Sequence, residues 1–211
     1  MKAALIVVDL QNDFLPGGAL PVKEGLQIIS LIDQLLRLPF AAKIATKDWH
    51  PANHGSFAPS HPGKKVGDIV PLDGITQILW PIHCVQNSKG AEFAPGWDAS
   101  SIERIFYKGT QPNIDSYSTF FDNEHLNSTG LSTYLKEKDI STVFIAGLAT
   151  DYCVKYSVID ACHLGLNTFV ITDACRGVNL QPNDSQKALE EMQQLGAHLI
   201  QSDKINKLLA N

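Results

Sequence analysis

The sequence lacks most of the marks that would take it out of ordinary globular enzyme space. Its four cysteines, Cys84, Cys153, Cys162 and Cys175, include no C-x-x-C pair, which excludes the usual zinc-ribbon and thioredoxin-type motifs. No apolar run approaches the length of a membrane span. The first apolar run, over 3–8, follows a single lysine and stops at Asp9, too short and too early interrupted for a signal peptide. There is no internal repeat and no low-complexity segment. No polybasic cluster is present and the net charge is −5, so the chain carries no electrostatic footprint for nucleic acid or anionic membrane. These absences predict a cytoplasmic enzyme with reduced thiols, without nucleic-acid or membrane partners.

What is present is ordinary in amount. The 211 residues are 44% hydrophobic and 18% charged, enough for one domain over 1–211 with a substantial core. The run over 3–8 is continuously apolar, as in a strand buried on both faces. Further strands are predicted over 41–46, 104–107, 142–146, 167–172 and 198–201. Helical spacing marks 24–38, closed by Pro39, and also 131–138, 185–195 and 202–209. Strands alternating with helices predict an α/β protein with a mainly parallel sheet and helices on both faces. Residues 51–89 are rich in Pro, Gly, His and Ser without strong periodicity, the pattern of a functional loop region.

The chain is organised around the stretch from Phe144 to Val154. An apolar strand runs into a small-residue turn, Gly147-Leu148-Ala149-Thr150-Asp151, and then a helix beginning near Cys153. A cysteine in the first turn of a helix meets unpaired backbone N–H groups and the positive end of the helix dipole, which favours the thiolate. Thr150 or Asp151 is placed to cap that helix. A small buried core cysteine is the competing reading of Cys153 alone. Asp9, Asp48 and Lys108 also fall just past predicted strand ends, the edge where open α/β sheets bind ligands. Asp9 could take the proton of Cys153, and Lys108 could stabilise the resulting anion. Taken singly, Asp9 reads as a turn residue and Lys108 as a surface lysine; together with Cys153 they suggest a triad that attacks a carbonyl.

A second constellation joins Asp48 and His50, two residues apart on an extended segment and therefore on one side, with His83 from a distant loop. Two imidazoles and one carboxylate with open positions suit zinc, iron(II) or manganese. His61, His125, His163 and His198 read as solvated loop histidines.

The motifs around Asp9 (Val-Asp-Leu-Gln-Asn-Asp-Phe14), Lys47-Asp48-Trp-His50-Pro, Trp80-Pro-x-His83-Cys-Val, Tyr107-Lys108-Gly, Tyr117-Ser-x-Phe120 and Gly147-x-Ala-Thr-Asp-x-Cys153-Val resemble the nicotinamidase family, within the isochorismatase-like cysteine hydrolases. The match runs in order from about residue 6 to 180. The resemblance implies a three-layer α/β/α, Rossmann-like fold, with a metal-binding loop insertion around 48–89. It implies hydrolysis of nicotinamide, and of its isostere pyrazinamide, to the acid and ammonia through a thioester on Cys153, at the entry to pyridine-nucleotide salvage. Asp9 would be the base, Lys108 would hold the charge balance, and the Ala149 and Cys153 N–H groups would form the oxyanion hole. A non-proline cis peptide is implied at Leu148–Ala149. One divalent ion, zinc ahead of iron or manganese, would sit on Asp48, His50 and His83 and bind the pyridine nitrogen. His54 and Ser56 would act behind the metal or through water. Phe14, Trp80, Tyr117 and Tyr152 are candidate ring walls, and self-association is common among such proteins. Three rivals share the scaffold. A metal-independent amidohydrolase of N-carbamoyl or ureido compounds is one, a vinyl-ether hydrolase that does not use the cysteine is another, and a noncatalytic binding protein is the third.

Overall fold

The computed structural model describes residues 2–210; Met1 and Asn211, the ends of the expected single domain, lie outside the described residues. In chain order the elements are β1 (Ala3–Val8), α1 (Ile29–Leu36), β2 (Ala42–Asp48), β3 (Ile69–Leu72), β4 (Ile75–Ile78), β5 (Arg104–Lys108), α2 (Leu131–Glu137), β6 (Thr142–Leu148), α3 (Lys155–His163), β7 (Asn167–Arg176), α4 (Asp184–Gln194), β8 (His198–Ile200) and α5 (Ile205–Leu209). Six strands form a wholly parallel sheet in the order β5-β2-β1-β6-β7-β8, and β3 pairs antiparallel with β4 apart from it.

Every residue of β1 and β6 is buried, which explains their unbroken apolar sequences: both faces of the sheet are covered. Along β1 the side chains alternate between two cores. Ala3, Leu5 and Val7 face one that includes Ile29, Ile32, Leu35 and Leu36 of α1 and Ile205 of α5. Ala4, Ile6 and Val8 face the other, closed by Leu131 and Leu135 of α2, Val158 and Ala161 of α3, and Ala188 and Met192 of α4. The expected three-layer α/β/α architecture is therefore present.

Three local expectations need correction. The helix expected over 24–38 is α-helical only in α1; Glu24 is left-handed at φ 61°, and the chain enters through a tighter 3-10 turn, Gly25–Ile28. The strand β7 runs on to Arg176 because its pairing with β6 shifts register between Ile145 and Gly147, bringing Cys175 opposite Gly147 and Arg176 opposite Leu148. The segment 51–89 contains the β3–β4 hairpin, which its mixed composition concealed. Asp73 and Gly74 join the two strands with φ of 49° and 93°, as a two-residue Asp-Gly hairpin turn requires.

The strand order reverses between β1 and β6, whose chains leave the sheet in opposite directions. That switch point opens a crevice at the C-terminal edge. Gly147 stands at its mouth with φ 124°, and a Cβ there would come within 2.1 Å of the Val8 carbonyl oxygen. Gly147→Ala should force β1 and β6 apart and cost at least about 2 kcal/mol, read as a lower urea midpoint; an unchanged midpoint would refute the close-approach argument.

Candidate active site

Asp9 follows directly on β1, Asp48 and Lys108 end β2 and β5, and Cys153 lies in the turn after β6. The β2–β5 register sets Asp48 opposite Lys108, so their side chains leave the same face of the sheet. All four groups are buried.

Lys108 is the hub. Its ammonium donates to Asp48 Oδ1 at 2.8 Å, to the Ser116 carbonyl at 3.1 Å and to Cys153 Sγ at 3.3 Å. Asp9 Oδ2 lies as close as Asp48, 2.8 Å from the same nitrogen, so four partners share the three N–H groups of one ammonium. The other Asp9 oxygen accepts from the Thr46 hydroxyl at 2.7 Å. The Asp9 carboxylate also shares a hydrogen bond with the Cys153 thiol, which sets a base beside the nucleophile's proton.

The charges tune one another. Burial pushes the Asp9 carboxyl up, and the nearby Lys108 ammonium only partly offsets it, making Asp9 a stronger base than an exposed aspartate. Burial also pushes the Cys153 thiol well above its usual range; Lys108 opposes this, while the Asp9 and Asp48 charges add to it. Desolvation thus opposes the thiolate that the helix terminus favours, and ionising Cys153 calls for a base. Lys108 itself would lose its proton more readily by burial, but Asp48 and Asp9 hold its affinity well above normal.

The turn that carries Cys153 is a π-helical segment, Thr150–Val154, entered from Ala149 without a side-chain cap. The capping role expected of Thr150 or Asp151 is absent there. Asp151 instead accepts from the backbone N–H groups of Val178 and Asn179 at 2.8 and 2.7 Å, fastening the turn to the chain beyond β7. The peptide between Leu148 and Ala149 is cis.

Asp48 Oδ2 faces His50 Nε2 at 2.9 Å and His83 Nε2 at 3.3 Å. The other nitrogens of these rings face carbonyls, His50 Nδ1 that of Gly109 at 2.9 Å and His83 Nδ1 that of Pro81 at 2.8 Å. A ring nitrogen facing a carbonyl must carry the proton. In the neutral rings both Nε2 lone pairs converge on a carboxylate oxygen, an arrangement relieved by a bound cation or by a proton on the imidazole. At His50, where burial disfavours that proton, the Asp48 charge raises the affinity for it. Burial would weaken Asp48 as an acid, but His50 and Lys108 hold it well below the usual carboxylate range. The donor set fits a divalent ion, with the second ring nitrogens fixed as ligating histidines usually are. Gly109 is tied to this fit: a Cβ there would lie 2.4 Å from the His50 ring.

His54 stands behind His50, their ring centroids 4.2 Å apart. Its Nδ1 meets the Ser56 hydroxyl at 2.7 Å and its Nε2 the Ile114 carbonyl at 3.3 Å. Burial and the neighbouring His50 lower its pKa to about 4, so it is neutral. His54, His50 and Asp115 form a second grouping of possible ligand atoms, but both His54 nitrogens already have protein partners.

Phe14, Trp80, Tyr117 and Tyr152 line one small cavity together with Cys153, Ala149, Asp48 and His83. Trp80 meets Tyr152 edge-on, centroids 4.9 Å apart at 87°. Asp115 also lines the cavity and was not foreseen. Nor was the support beneath the strand ends. Gln11 forms a two-way amide pair with the Asp48 backbone, donating to its carbonyl and accepting from its N–H, both at 2.8 Å. Asp13 accepts from the Cys84 N–H at 2.7 Å, beside His83. Both lie in the motif after Asp9, but their partners are far away in sequence.

The chain matches the isochorismatase domain model over residues 3–204. It is 49% identical over 199 residues to a nicotinamidase of Escherichia coli (strain K12), covering 93% of each chain. It superposes on a nicotinamidase/pyrazinamidase of Acinetobacter baumannii with TM-score 0.93 and 45% identity, over 97% of this chain and 98% of that one. A pyrazinamidase of Pyrococcus horikoshii, solved in complex with zinc, matches with TM-score 0.77 and 38% identity, over 95% of this chain and 99% of its own.

Because burial holds Cys153 towards the thiol, its reaction with an electrophile needs the neighbouring base. Asp9→Asn should therefore slow alkylation of Cys153 by iodoacetamide several-fold at pH 7, followed by mass spectrometry of its peptide. Unchanged or faster alkylation would show that Asp9 does not take the thiol proton.

Proposed function

The chain belongs to the isochorismatase family and, within it, to the nicotinamidases, and from that premise we propose how its own residues hydrolyse nicotinamide to nicotinate and ammonia. The observation that carries the reading is the Lys108 ammonium, within 3.3 Å of Cys153 Sγ while paired with both Asp9 and Asp48. It joins a nucleophile, a base and a metal-binding carboxylate in one buried cluster.

Asp9 takes the thiol proton of Cys153, and the sulfur attacks the carboxamide carbon. Lys108 stabilises the negative charge as it moves from carboxylate to sulfur. The backbone N–H groups of Ala149 and Cys153 receive the charge that develops on the carbonyl oxygen. Asp9 then returns its proton to the departing nitrogen, and ammonia leaves a thioester on Cys153. In the second half Asp9 removes a proton from water; attack on the thioester releases nicotinate, and the proton returns to the sulfur. A carboxyl raised by burial suits both proton transfers.

Asp48, His50 and His83 would hold one divalent ion, with zinc first in view of the zinc-bound relative. Bound there, the ion supplies a Lewis-acid contact for the pyridine nitrogen that orients the ring. His54 and Ser56 brace the His50 side of this set. Phe14, Trp80, Tyr117 and Tyr152 exclude water from the ring, and the same walls suit pyrazinamide. No helix among the described residues is long and apolar enough to cross a membrane. We place the enzyme in the cytoplasm, where its cysteines would remain thiols, at the entry to pyridine-nucleotide salvage.

Ammonia release from nicotinamide tests the reading. Turnover should disappear on chelation and return with zinc, iron or manganese. Cys153→Ala should lower kcat at least about a thousandfold. Full turnover without metal would favour the ureido-type relatives, and no turnover with any of the three metals would overturn the assignment.

A further inference from the structure

The β3–β4 hairpin stands outside the main sheet, yet it sends one polar side chain inward. Gln77 of β4 is only 3% exposed. Its amide nitrogen lies 3.1 Å from Asp115 Oδ2, 3.1 Å from the Tyr117 hydroxyl and 2.6 Å from the Ile78 carbonyl. The carboxylate and the carbonyl are obligate acceptors, which fixes this atom as the NH2 end of the amide, and its two N–H groups are shared among the three acceptors. Tyr117 and Asp115 both line the ring cavity.

Tyr117 receives a second bond from the other side. Trp80 Nε1, a donor only, lies 3.1 Å from the same hydroxyl. Burial and the nearby Asp115 charge push the Tyr117 phenol well above its usual range, so it remains a neutral acceptor. The hydroxyl is held between Gln77 and Trp80, and the ring of Tyr117 is fixed against Tyr152, their centroids 5.5 Å apart.

We propose that Gln77 is a positioning residue for substrate recognition: from outside the sheet it clamps Tyr117 and Asp115, and so sets the wall against which the pyridine ring binds. The proposal rests on the nicotinamidase reading. Gln77 touches neither the sulfur nor the base, so its contribution falls on binding rather than on bond making. Without the clamp, Tyr117 must be ordered anew each time a ring enters, and Asp115 loses a donor to a buried oxygen.

The test is Gln77→Met, which keeps the length and removes the donors, beside Tyr117→Phe, which keeps the ring and removes the shared hydroxyl. Each should raise KM for nicotinamide about five- to tenfold with kcat within about threefold. The double variant should be no worse than the poorer single one, because both break one linkage. Iodoacetamide, which carries no ring, should alkylate Cys153 at the wild-type rate in both. A fall in kcat at unchanged KM, slowed alkylation or fully multiplicative KM effects would overturn the proposal, as would an unchanged KM. Should Gln77→Met fail to fold, an unchanged KM in Tyr117→Phe overturns it alone. Failure of the underlying reading is separate, since the wild-type protein would then release no ammonia from nicotinamide.

Discussion

A buried ammonium is the constraint around which this protein is arranged. Lys108 is 2% exposed, and an amine so far from water keeps its proton only if anionic partners replace the lost hydration. Two carboxylates do so, from different strands: Asp9 after β1 and Asp48 at the end of β2. Neither could reach Lys108 unless β5, β2 and β1 were neighbours in register. The sheet order is therefore part of the electrostatics. The same ammonium touches the sulfur that follows β6, so four successive parallel strands converge on one charge.

Residues whose character is decided locally were readable from the sequence. The apolar run of β1 shows a strand covered on both faces, and reactive groups just past strand ends show where ligands approach. The structure brings Asp9, Lys108 and Cys153 into contact, gathers Asp48, His50 and His83, and lines one cavity with Phe14, Trp80, Tyr117 and Tyr152. Residues whose meaning depends on distant partners were not readable. Gln11 looks like any loop glutamine until the Asp48 backbone, 37 residues on, is laid beside it. Thr46, Asp115 and Gln77 are of the same kind. The upward push on the Cys153 thiol was hidden for a related reason: a helix terminus is a local feature, but desolvation is the work of the whole surrounding fold. The Asp73-Gly74 turn was legible by its own chemistry, although masked by the irregular sequence around it.

The long segment between β2 and β5 has little regular structure, yet it is anchored near the site at several points. His50 bridges to Val85 and Phe57 to Trp80, while Gln11 bridges to Phe93. The residues after β1 do much of this fastening: Asn12 donates to the Lys89 carbonyl and Asp13 accepts from Cys84. A chain segment of this length would otherwise lose much entropy on ordering. Distributed backbone pairing limits its freedom while leaving Phe57, Trp80 and His83 aimed inward. Precision in the metal-facing set comes from this stitching as much as from the sheet.

The two oxygens of Asp48 have separate obligations, one to Lys108 and the other to the imidazoles of His50 and His83. This sets an order in which such a site could change over evolutionary time. The two histidines could be exchanged for other side chains without leaving Lys108 short of a counter-charge. The aspartate could not, because its removal would unbalance the catalytic cluster as well as the metal set. A lineage drifting away from metal dependence would thus shed its imidazoles first and retain the carboxylate, now only as a neighbour of the lysine.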